Sequence, residues 1–159
     1  MKEFEKLWTD ETTVSGVHVA AGSSTRPDPL QSASLDCELE AVVPRGASLE
    51  FRVATMNGHF SFGIDNGKQT LFIDRTACGV EDPKSYAQRY DMKIAFEDGQ
   101  RVALRILFDR CVLEMFADSG QTTMSAFVLP QLDPVLVEVG AVGGDCEIER
   151  MAVRQVAGF

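Results

Sequence analysis

The sequence predicts an all-β protein, a two-sheet antiparallel β-sandwich. Apolar and polar residues alternate at period 2 along most of the chain. Turn residues break that alternation at short intervals, and helix has little room. About nine or ten short strands joined by hairpins are the pattern of two packed sheets in one domain.

The elements follow in order. Leu35, Cys37, Leu39, Ala41 and Val43 alternate with Asp36, Glu38 and Glu40, which describes a strand with one buried and one wet face. Pro44-Arg45-Gly46 breaks the chain, and Leu49, Phe51 and Val53 resume the alternation. Asn66-Gly67 predicts a type I′ hairpin, with Asp65 opposite Lys68 and Phe62 opposite Leu71. Phe60, Phe62, Ile64, Leu71 and Ile73 then share one face. A second hairpin turns at Arg110-Cys111 and pairs Asp109 with Val112. It puts Leu104, Ile106, Phe108, Leu113 and Met115 on an apolar face, and Arg105, Leu107, Asp109, Val112, Glu114 and Phe116 on a mixed one. Asp118-Ser119-Gly120 makes the next turn, and strands follow over 122–129, 136–142 and 147–156. Single helical turns are expected at Phe4–Trp8 and around Asp82–Arg89.

Composition removes several functions. Twenty-four acidic against 15 basic residues give a formal charge of −9, which repels nucleic acid and anionic lipid. No apolar run is long enough for a membrane span. Cys37, Cys78, Cys111 and Cys146 form no C-x-x-C pair, and His18 and His59 lie far apart, so no metal site and no cofactor is expected. The cysteines read as free, mostly buried thiols. With no signal peptide at the start, they favour a cytoplasmic location without establishing one.

Two sets of residues invite a chemical role. Asp109 and Glu114 lie diagonally on one face of the second hairpin, roughly 7–8 Å apart by strand geometry, as paired carboxylates of a glycosidase would. Arg75, Arg105 and Arg110 are expected to pair with them and hold both acids ionised, which disfavours catalysis. Trp8, Tyr86 and Tyr90 are candidates to stack on sugar rings, although packing explains such residues more often. No serine or cysteine nucleophile has an assignable base, and Cys111 beside Arg110 reads as inert.

The stretch from Leu104 to Gly120, with Asp109-Arg110, Glu114, Phe116 and Gly120 in step and Pro130 closing the following strand, resembles a known signature. It is similar to a strand pair in the C-terminal β-sandwich of glycoside hydrolase family 32, the invertases, levanases, inulinases and sucrose-6-phosphate hydrolases. Cys111 stands where that family usually has serine. Phe72-Ile73-Asp74-Arg75 through Gly79 looks like the family's upstream apolar-Asp-Arg segment, and the resemblance extends over about Leu35–Val156.

The resemblance implies a concanavalin-like jelly roll. It also implies that the chemistry lies elsewhere, in an N-terminal five-bladed β-propeller carrying W-M-N-D-P-N-G, R-D-P and E-C motifs. None of these motifs occurs here: Arg26-Pro27-Asp28-Pro29 only grazes the second, and Asp36-Cys37-Glu38 reverses the third. No catalytic residue carries over, and no activity is expected of this chain alone. Residues 1–34 are read as a linker remnant and first strand, and 35–159 as the sandwich, within one globular unit. Asp74, Arg75, Asp109, Arg110, Glu114 and Phe116 become fold or interface residues. The expected partner is the catalytic propeller of the parent enzyme, with a homodimer through Leu107, Val112 and Phe116 as a further expectation. A carbohydrate-binding module using Trp8, Tyr86 or Tyr90, and a glycosidase using Asp109 and Glu114, are the alternatives.

Overall fold

Two six-stranded antiparallel sheets face each other across an apolar layer in the computed structural model, which describes residues 8–81, 85–97, 99 and 101–156. The strands are β1 (Trp8–Val19), β2 (Ser24–Thr25), β3 (Ser34–Val42), β4 (Ser48–Ala54), β5 (His59–Asp65) and β6 (Thr70–Asp74). They continue as β7 (Arg89–Lys93), β8 (Arg101–Asp109), β9 (Val112–Ala117), β10 (Thr122–Phe127), β11 (Val137–Val142) and β12 (Cys146–Val156). The first sheet runs β1-β12-β3-β8-β9-β10 and the second β2-β11-β4-β5-β6-β7.

The period-2 pattern is what builds the layer. Leu39, Leu104, Ile106, Leu113 and Met115 from the first sheet, and Leu49, Phe51, Phe60, Ile64 and Leu71 from the second, are all 2% exposed or less. Phe51 stacks on Phe62 at 5.3 Å between ring centroids, and Phe60 crosses the layer to Phe108 at 6.5 Å. Such aromatic pairs add to the burial that already dominates a sandwich core.

The hairpin at Arg110-Cys111 has the expected register: Asp109 faces Val112, Phe108 faces Leu113 and Ile106 faces Met115. Arg110 takes the positive φ, 52°, that the two-residue connection requires. The hairpin at Asn66-Gly67 differs. Asp65 pairs with Thr70 and Phe62 with Ile73, so four residues make the loop, and Gln69 rather than Asn66 or Gly67 has the positive φ. The reason is tertiary. Asn66 is only 3% exposed, and its side-chain amide donates to the Val43 carbonyl at 2.6 Å while its backbone N–H donates to Ala47. A shift of two residues leaves every side chain on its expected face.

Three strands were not expected at full length. β1 pairs along β12 at one edge of the first sheet, and its residues are mostly exposed. β2 pairs with β11, and β7 pairs with β6 where one helical turn was anticipated. Arg89 opens β7, and no helix is described over 85–88; residues 82–84 of that expectation lie outside the described residues. Of the turn expected at Phe4–Trp8, Trp8 begins β1 and the rest lies outside them. β12 contains a bulge between Ile148 and Arg150, which moves the buried set from Cys146 and Ile148 to Met151 and Val153.

Gly63 (φ +152°) sits where β5 passes β4, and an added Cβ there would lie 2.1 Å from the Leu49 carbonyl oxygen. Gly63→Ala is expected to cost about 3 kcal/mol through this backbone clash. Urea denaturation checks it: the midpoint falls with an unchanged slope.

Candidate functional site

The two Asp-Arg segments end equivalent strands but do different things. After β6, Asp74 accepts the Thr76 backbone N–H at 2.9 Å and the Thr76 hydroxyl at 2.6 Å, which closes a tight Asx turn. Arg75, 8% exposed, reaches across to the other sheet and donates to the Phe127 carbonyl of β10 at 2.8 Å. Its guanidinium lies 4.3 Å from the Tyr86 ring centroid and 5.3 Å from that of Tyr90. Burial raises the Tyr86 phenol above its ordinary pKa, with Arg75 acting the other way. After β8, the Arg110 backbone N–H donates to Ala33, and the Ser34 hydroxyl donates to Asp109 at 2.6 Å.

The structure places Asp109 and Glu114 diagonally on the outer face of the first sheet, as the hairpin register requires. Two of the three guanidiniums expected around them have partners elsewhere. Arg105 makes an ion pair with Asp36, through bonds of 2.9 and 2.6 Å, and Arg75 is engaged with Phe127 and the tyrosines. Glu114 instead accepts the Ser125 hydroxyl at 3.4 Å. Register explains the change: Asp36 and Arg105 lie diagonally on adjacent strands β3 and β8, which sequence spacing does not reveal.

Asp36 was expected on a wet face, yet it is fully buried under Arg105. Beside it, Arg154 contacts Glu11 at 2.6 Å and Glu38 at 3.1 Å, and lies 4.2 Å over the Trp8 ring. Burial opposes the charge on Arg154, but its hydrogen bonds to Glu38 and Glu11 overcome this and raise its pKa. The bond from Arg154 holds Glu38 below the usual carboxylate range, against the effect of burial. The three sugar-stacking candidates thus divide between two places: Trp8 under Arg154, and Tyr86 with Tyr90 around Arg75.

On the outer face of the second sheet, Arg89 contacts Asp91 at 2.9 Å, Asp65 at 3.3 Å and Asp74 at 3.7 Å, and sits 4.2 Å over Phe72. Its hydrogen bond holds Asp91 below the ordinary range. The four cysteines are free thiols, three of them buried, and burial pushes Cys37 up to about 12 and Cys146 to about 11. Among the described residues, no group of three or more His, Cys, Asp or Glu is placed to hold a metal ion.

Exposed apolar side chains are scattered over both sheets, and three of them meet at the Arg110-Cys111 end of the first sheet. Val112 is 44% exposed and its register partner Phe127 is 53% exposed, with Leu129 beyond it at 42%. Leu107 and Phe116, grouped with Val112 in the sequence-based interface, are only half-exposed. Nothing in the sequence pattern singled out Phe127, because it reads as one member of an ordinary alternation.

Comparison with known proteins adds a family to this geometry. Residues 3–155 match the model for the C-terminal region of glycosyl hydrolases family 32. The extracellular exo-inulinase inuE of Aspergillus ficuum is 31% identical over 136 residues, 85% of this chain and 24% of that protein. The levanase of Bacillus subtilis is 24% identical over 152 residues, 93% of this chain and 22% of its own. The crystal structure of exo-inulinase from Aspergillus awamori superposes with a TM-score of 0.74 at 23% identity, covering 98% of this chain and 31% of that one. Fructan 1-exohydrolase IIa from Cichorium intybus, in complex with 1-kestose, gives 0.77 at 13% identity, over 99% and 37%. These structures share the sandwich fold, and the chain spans about a quarter of the length of the curated relatives it matches.

Two outcomes follow from the charged faces. Asp36→Asn leaves Arg105 without its buried counter-charge and is expected to cost about 3 kcal/mol, read by thermal or urea denaturation. Glu38 and Asp91 have folded-state pKa values below their unfolded ones, so the stability they provide is complete above the ordinary carboxylate range. It is lost as pH falls through the lowered values, below about pH 4. Glu38→Gln makes the acid side of the stability–pH curve shallower, which denaturation between pH 2.5 and pH 6 checks (roughly the range in which carboxylates titrate).

Proposed function

Because this chain belongs to the C-terminal domain family of glycosyl hydrolases family 32, we propose that it is the non-catalytic sandwich module of a β-fructosidase-type enzyme. Its work is to pack against and steady a catalytic β-propeller that hydrolyses sucrose, sucrose 6-phosphate or fructans. One observation carries this reading: the family match runs over almost the whole chain, yet that length is only a fraction of each relative. The apolar end formed by Val112, Phe127 and Leu129 supports it, since exposed groups of this kind mark surfaces that another body covers. Arg75 stiffens that end by tying the second sheet to the Phe127 carbonyl of the first.

A second reading uses the same end differently. Val112 and Phe127 are paired neighbours, and a second copy of the chain can bury them in a symmetric contact. Sugar binding at the aromatic residues has less support. Each ring of Trp8, Tyr86 and Tyr90 already has a guanidinium beside it.

Incubation of the chain with sucrose, inulin and levan is expected to release no fructose. Release that disappears in Asp109→Asn or Glu114→Gln would make the chain a glycosidase and overturn the assignment. Sedimentation velocity separates the two uses of the apolar end. Self-association that Phe127→Ser weakens by about tenfold or more supports the dimer. A monomer at roughly 0.1 mM, well above a micromolar dissociation constant, removes it.

A further inference from the structure

A groove of about 310 Å³ lies on the outer face of the first sheet, at the opposite end of β9 from Val112. Phe116 lies four strand steps from Val112, roughly 13 Å, so this is a separate place from the apolar end. We propose that the groove is a binding site for a neutral carbohydrate of one or two rings.

The groove exists because of a step in side-chain size. Glu40, Arg105 and Phe116 are long, while Ala103, opposite Glu40 on β8, contributes only a methyl group. The turn after β9 forms one wall. Gly120 lies there with φ +90°, and no atom stands within 4 Å of where its Cβ would be. Phe116 is half-exposed and offers a ring to the C–H face of a sugar.

The polar groups are divided between held and free. Arg105 is fixed by Asp36 and Glu38 by Arg154, so both are oriented in advance. Arg150 and Glu40 face each other in register on β12 and β3, yet neither has a hydrogen-bond or ion-pair partner among the described residues. Arg150 also acts electrostatically on Glu38, and this guanidinium and the Glu40 carboxylate, side by side at the groove, can donate to and accept from neighbouring hydroxyls on one ring. Among the described residues, Asp36 offsets Arg105, Arg154 offsets Glu38, and Arg150 faces Glu40, which disfavours an ionic ligand of either sign. The volume stands at the small end of ligand sites, which sets the limit of one or two rings.

The test is titration of the isotopically labelled chain with sucrose and with fructose, followed by backbone amide resonances. Saturable shifts at Ala103, Arg105, Phe116 and Gly120 are expected, with millimolar affinity. Arg150→Ala and Glu40→Gln should each weaken binding by about tenfold without moving the thermal midpoint, since both remove a bond to a charged group from the surface. Four results overturn the proposal: no saturable shift at about 50 mM sugar, some tenfold above a millimolar constant; shifts confined to Trp8, Tyr86 or Tyr90; unchanged affinity in both variants; or tighter binding of sucrose 6-phosphate than of sucrose. None of these bears on the module assignment, which the fructose-release assay tests separately.

Discussion

Everything in this fold depends on one contact, the meeting of two apolar sheet faces. Phe60 against Phe108 spans it, and Phe51 on Phe62 widens it on the second sheet. A fully buried side chain of this size stabilises by about 1.5–3 kcal/mol, far more than any surface pair. The rest of the backbone is therefore arranged around keeping alternate residues in that layer. The bulge in β12 exchanges which residues point inward, so that Ile148 and Met151 are both buried although three positions separate them. Gly63 lets β5 approach β4 more closely than any side chain would allow.

The outer faces answer a different constraint. With 24 acids and 15 bases, the basic groups are too few to serve the acids one by one. The structure shares them. Arg89 lies among Asp65, Asp74 and Asp91, and Arg154 between Glu11 and Glu38. Each also lies over an aromatic ring, Phe72 or Trp8. Arginine suits both tasks because its planar, delocalised charge can hydrogen-bond at its edge while stacking on its face. The same logic places Arg75 between two tyrosines and a carbonyl of the opposite sheet. Aromatic residues that read in the sequence as sugar platforms thus have guanidiniums as neighbours.

Legibility followed the range of the interactions. The Asp109–Val112 hairpin was readable because two residues close it and both strands alternate cleanly. The Asp65–Thr70 hairpin was misread by two positions because Asn66 is engaged with Val43 and Ala47, outside the hairpin. β1, given only as a first strand somewhere within residues 1–34, and β7, read as a helical turn, were not delimited for a common reason. Both are edges whose side chains are largely exposed, including Tyr90 and Met92, so burial imposes little alternation on them. The groove at Phe116 was invisible, since β3, β8, β9 and β12 each contribute to it.

By itself the sequence determined the sandwich class, most strand positions and the family, because period-2 burial, turn chemistry and short motifs are local. Tertiary structure alone decided where charges meet and which apolar groups stay uncovered. Asp36 became a buried ion-pair partner only because β8 was laid beside β3, and Phe127 is exposed because β10 turns it to the sheet's outer face beside Val112, where no described element covers it. The Asp36–Arg105 bonds join residues 69 positions apart, and no local pattern encodes them.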